Sequence, residues 1–92
     1  MNVDFESLDE LFRLSDLEGL IAAGAPQDEY QPEVELIALA LDEIPTGEAS
    51  KEQIVQIFSD VWKKMFSTSE PGLAARKQGF EEIAEKLLTY FR

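Results

Sequence analysis

The chain has 92 residues and a mass of 10.4 kDa, the size of one small domain, and its 45% hydrophobic and 29% charged residues suit a chain that folds around a core. Nineteen acidic residues against eight basic ones give a net charge of −11, which disfavours nucleic-acid phosphates and anionic membrane surfaces as partners. With no cysteine and no histidine, disulfides, thiolate and imidazole metal ligands, cysteine nucleophiles and histidine-based triads are excluded.

Apolar residues recur at spacings of three and four, and strict alternation over a strand length is missing, which predicts an all-α fold. The whole of 1–92 reads as a single helical domain, a small four-helix bundle, or five helices if the first one splits. Ser7 and Glu10 have capping-box spacing, with Asp4 or Asn2 as caps for an earlier start. Leu8, Leu11 and Phe12, with Phe5, make the apolar face. Ser15 and Glu18 repeat the box and Leu17, Leu20 and Ile21 repeat the face, so residues 4–23 form one kinked helix or two short ones, ended by Gly24 and Pro26. Residues 25–31 are turn-rich and read as a connection.

Pro32 suits the first turn of a second helix, where Glu33 and Glu35 complement the helix dipole. The run from Val34 to Leu41 is apolar nearly all round and predicts a central core helix, stopped by Pro45 and Gly47. Ser50 with Gln53 is a third capping box, opening a helix over about 51–66 whose stripe is Ile54, Ile57, Phe58, Val61 and Met65, widened by Val55, Trp62 and Phe66. After a loop at 67–72, a last helix over about 72–90 carries Leu73, Phe80, Ile83, Ala84, Leu87 and Leu88. Gly79 is its weak point, costing up to about 1 kcal/mol relative to alanine.

The charge is unevenly divided. Residues 1–50 carry thirteen acids and one base, Arg13, for a net of −12, whereas residues 51–92 carry six acids and seven bases, for a net of +1. Two readings are open: a negative docking face that steers a basic partner, or charge kept for solubility. No basic region followed by an apolar run opens the chain and no window approaches a membrane span, so a cytoplasmic protein, or one released without a signal, is expected.

The segment Gly24-Ala25-Pro26-Gln27-Asp28-Glu29-Tyr30, followed by Glu33 and a helix with Ile37, resembles the YugE-like family of short, acidic, helical bacterial proteins, whose second helix is led in by Pro-x-x-x-Tyr-x-x-Glu. The resemblance covers about residues 17–66. It departs from the family pattern at Gln31, where an aspartate often follows the tyrosine, and it implies no established activity.

Little catalytic equipment remains. Asp28 and Glu29 beside Tyr30 are the one cluster that paired-carboxylate acid and base chemistry offers, and a solvated helix-capping loop explains it more simply. No segment fits an EF-hand, a di-metal Glu-x-x-His site or a glycine-rich phosphate loop. Glu81, Glu82 and Glu85, interleaved with Lys77 and Lys86, read as a solvated face with ion pairs. No enzyme activity, metal or cofactor is therefore expected. Trp62 and Phe66 at the edge of their stripe read as core, with an interface as the alternative, and Tyr90 and Phe91 either pack back or form a dimerising patch.

These features suggest a small binding protein, best read as an immunity protein or antitoxin that neutralises a basic toxin domain. Its expected contact surface is Asp28, Glu29, Tyr30, Glu33 and Glu35. The helical colicin-immunity proteins are similar in kind, being small acidic four-helix domains that use carboxylates around aromatic residues, though no motif is shared. The alternative is a homodimeric structural or regulatory adaptor.

Overall fold

The computed structural model describes residues 1–26, 29–45 and 47–91, with Phe91 described by its backbone alone. In it four α-helices follow one another: α1 (Phe5–Ser15), α2 (Gln31–Asp42), α3 (Lys51–Phe66) and α4 (Glu70–Phe91). No strand occurs among the described residues, and none of their helices is long and apolar enough to cross a membrane.

Side-chain caps and turns decide the boundaries. The cap of α1 is Asp4, whose carboxylate accepts from the Ser7 amide at 3.2 Å and the Ser7 hydroxyl at 3.0 Å. This earlier start, in place of the Ser7–Glu10 box, puts Phe5, Leu8 and Phe12 on one helical face. At the other end Asp16 adopts the left-handed conformation, φ 44°, and its amide donates to the Phe12 carbonyl at 2.9 Å. A residue there terminates the helix. The second predicted box at Ser15 therefore does not form, and residues 17–24 run as turns rather than as a fifth helix.

The box at Ser50 does form: the Gln53 amide donates to the Ser50 hydroxyl at 3.2 Å and the Ser50 amide to Gln53 Oε1 at 2.9 Å. Helix α4 begins two residues before the predicted start, because Ser69 takes the Gly72 amide on its hydroxyl and the Leu73 amide on its carbonyl.

The helices run alternately up and down. The Met1 amine donates to the carbonyls of Leu41, at 2.8 Å, and Ile44, setting the start of α1 beside the end of α2. Lys51 at the start of α3 pairs with Glu81 and Glu85 late in α4, and Lys63 near its end pairs with Glu70. Around the bundle, α1 packs on α2, α2 on α3, α3 on α4 and α4 on α1. The diagonal is bridged by side chains such as Phe12 and Phe58, whose ring centroids lie 5.1 Å apart. The radius of gyration of 12.4 Å is close to the roughly 12 Å that a packed chain of this length gives.

Helix α2 differs from its prediction. Val34, Ile37 and Leu41 are fully buried, but Leu39 is 68% exposed. In a four-membered ring each helix has two neighbours, so an all-round apolar helix leaves one side uncovered. Gly79 has a structural reason: a Cβ there would collide with Leu17 Cδ2, so the missing side chain lets the connection after α1 lie on α4.

Candidate functional site

At the end of the bundle where α1 stops and α2 starts, five side chains form one polar cluster. The Tyr30 hydroxyl donates to Asp16 Oδ1 at 2.6 Å and accepts from the Glu18 amide at 3.1 Å. Asp16 also accepts from the amides of Ile21 and Ala22, at 3.1 and 2.9 Å, tying down the turns that follow α1. Glu18 accepts from Trp62 Nε1 at 2.7 Å and takes two of the three nitrogens of Arg76, Nε at 2.5 Å and Nη2 at 2.7 Å. The remaining nitrogen, Nη1, donates to the Gly72 carbonyl at 2.8 Å.

The local electrostatics follow from these bonds. The Tyr30 hydroxyl holds the Asp16 carboxyl below its ordinary range, and the Arg76 guanidinium does the same for Glu18. Burial, with the Asp16 bond adding to it, pushes the Tyr30 phenol up to about 12. These groups saturate one another. A phenol held protonated and a carboxylate committed to three donors are poor proton-transfer groups, so the cluster braces the fold.

The residues nominated from the sequence and described by the structure do not share one exposed face. Asp28 lies outside the described residues. Glu29 is half-buried. Tyr30 is 1% exposed and stacks on Trp62 with centroids 6.2 Å apart, so it is a core residue and does not offer its ring to a partner, contrary to expectation. Glu33 is 6% exposed, and its Oε2 has no hydrogen-bond partner among the described residues. Burial, reinforced by the Glu29 charge, raises its pKa.

Of the four described, Glu35 alone is exposed. Two residues apart on a helix means roughly 200° of rotation, so Glu33 and Glu35 leave α2 on different sides. Trp62 is fully buried, as its core reading requires, while Phe66 is half-buried and Tyr90 is 75% exposed.

Glu35 belongs to a different surface. With Ala38, Leu39 and Asp42 it forms one wall of an open groove of about 440 Å³, and Val3 and Phe5 form the other. Exposed Asp4 and Glu6 flank Phe5 in the sequence. Two further grooves lie along the α3–α4 seam, of about 390 and 340 Å³, and their linings mix lysines with carboxylates: Lys51, Lys77 and Glu81 in one, Lys63, Lys77 and Glu70 in the other. Of these three, the α1–α2 groove has a rim of one sign.

Sequence reasoning missed both the cluster and the groove. A tryptophan on a core stripe needs an acceptor for its indole N–H, which was a signal for Glu18. The i, i+3, i+4, i+7 set Glu35, Ala38, Leu39, Asp42 is a single helical face, which was a signal for the groove. Comparison with protein-family models, with curated proteins and with solved structures found no match.

Proposed function

We propose that this chain is a non-enzymatic binding domain that captures a basic protein partner on its acidic first half, and more narrowly that it acts as an immunity protein or antitoxin toward a basic toxin domain. The observation that carries the reading is how the acids of that half are used. Asp16 and Glu18 are consumed by internal bonds, while Glu6, Glu10, Glu35, Asp42, Glu43 and Glu48 stand exposed in a stretch whose one base is Arg13. Like charges at such density repel one another and oppose folding. A basic partner would relieve that repulsion, speed encounter and fix orientation.

The analogy with the helical colicin-immunity proteins is one of size, charge and helix number, and it supports the narrower form of the proposal. Kinship with the YugE-like family is proposed on the Gly24–Tyr30 and Glu33 motif. Here Tyr30 and Glu33 are buried, so the described part of that motif is a signature of how α2 is seated and carries no activity with it.

The test is affinity capture from the protein's own host lysate at low salt, elution by a salt step, and assay of the captured protein with and without added bait. Salt-released capture of a basic toxin whose activity falls to nothing at one equivalent of the bait is the expected result. A captured basic protein that keeps its activity removes the immunity reading, and recovery of the bait alone removes the partner. The exposure of Tyr90 near the C-terminus favours a homodimer as the second reading, which concentration-dependent sedimentation decides.

A further inference from the structure

We infer that the α1–α2 groove is the docking site for a basic helix of the partner, one that presents an apolar side chain midway between two cationic side chains seven residues apart. The inference rests on the proposed capture of a basic partner and adds where it binds and in what register. Glu35, Ala38, Leu39 and Asp42 occupy positions i, i+3, i+4 and i+7 of one face. The carboxylate positions at the two ends are separated by about 10 Å of helix axis. Between them Leu39 is 68% exposed, and Val3 and Phe5 are half-buried on the facing wall.

A helix laid along this face matches it when its cations have the same seven-residue spacing and its apolar residue falls in the middle third. The groove volume of about 440 Å³ has room for that side chain and its neighbours. Desolvating Leu39 and Phe5 supplies the contact, and the two acidic positions set register and exclude neutral or acidic helices. A second copy of this chain is a poor occupant. The same patch on a two-fold related copy would bring Glu35 and Asp42 toward their own counterparts, and the half of the chain that supplies it carries a net charge of −12.

The probe is a fluorescein-labelled synthetic helical peptide with two lysines seven residues apart and a leucine between them, titrated against the full chain by anisotropy. A control peptide has serine in place of the leucine. We expect the leucine peptide to bind about tenfold more tightly than the serine peptide. Leu39→Ser should cost a similar factor, and the double variant Glu35→Lys/Asp42→Lys should cost more and flatten the salt dependence. The double variant Glu52→Lys/Glu82→Lys changes the net charge equally on α3 and α4 and should stay within about threefold of the parent.

Equal binding of the two peptides, or equal loss in the two charge-reversed variants, overturns the groove while leaving a diffuse acidic surface in place. Failure of both peptides to bind at low salt overturns the groove and the basic-partner reading together. Self-association of the free chain that Leu39→Ser abolishes assigns the groove to a second copy, and so overturns the proposal.

Discussion

Glu18 and Glu35 are the same residue type seventeen positions apart, one in the turns after α1 and one on the outer face of α2, and the molecule treats them in opposite ways. Glu18 is shielded, bidentate with Arg76 and bonded to Trp62. Glu35 stands in solvent on the rim of an apolar groove. At the first, charge is largely shielded and the carboxylate is held by three donors, an arrangement that fixes geometry and is costly to disturb from one side. At the second, charge is hydrated and apolar surface is left uncovered, an arrangement that contributes little to folding and leaves a surface free for a partner.

The sharpest test of that contrast is Trp62→Ala, which empties the space between Phe12, Tyr30, Phe66 and Phe80 and removes one of the three donors to Glu18. A loss of about 3–5 kcal/mol is expected, enough to unfold much of the population of so small a domain, as urea denaturation followed by circular dichroism would show. Arg76→Met should cost about 2–3 kcal/mol by the same measurement. The pair's side chains keep 26% and 15% of their exposure, so the loss falls below that of a fully buried pair. An effect under about 0.5 kcal/mol would show the cluster to be decoration rather than bracing.

Tyr30→Phe keeps the stacked ring and removes the hydroxyl from Asp16 and from the Glu18 amide, for about 1–2 kcal/mol. The phenol's folded value of about 12 lies above its ordinary 10.0. The folded state therefore holds the proton over that interval, and stability falls as pH rises through it. The phenylalanine variant should lose that alkaline dependence, which a series of melts above pH 10 would detect.

On the acid side two effects oppose each other. Asp16 and Glu18 are held below the ordinary carboxylate range, so their stabilisation is present above that range and is lost as pH falls through their folded values. Glu33 is raised, so its burial penalty is present at neutral pH and is relieved as pH falls toward the ordinary range. Stability should therefore rise on mild acidification and then fall. Glu33→Gln should raise the neutral-pH melting temperature and remove the initial rise. The smallest expected change is for Leu39→Ser, within about 0.5 kcal/mol of the parent. A larger loss would make Leu39 a packing residue after all.

Helix number and type were legible from the sequence because each stripe repeats with the helical period, and the Ser50–Gln53 box marked its boundary correctly. The boxes at Ser7 and Ser15 misled because serine three residues before glutamate recurs in an acidic chain whether or not a helix starts there. At Ser15 the left-handed Asp16 overrides the pattern. The braced cluster joins residues 16, 18, 30, 62 and 76, whose proximity depends on how the helices pack, and local spacing does not encode that. The acidity of the first half was legible as a total. Its assignment to Tyr30 and Glu33 does not fit their burial: Tyr30 packs into the core ahead of α2 and Glu33 leaves α2 on a different side from Glu35, whereas Glu35 and Asp42, seven apart, share one.

Trp62 is the chain's single tryptophan, and its place among the helices makes the protein its own optical reporter. The indole touches Phe12 of α1, Phe66 of α3 and Phe80 of α4, stacks on Tyr30 at the start of α2, and hydrogen-bonds to the turns through Glu18. Loosening any seam of the bundle changes the surroundings of that one ring. Emission excited at its absorption edge therefore follows the cooperativity of the whole domain without a label, and a mismatch between its transition and that of backbone dichroism would identify a seam that opens first.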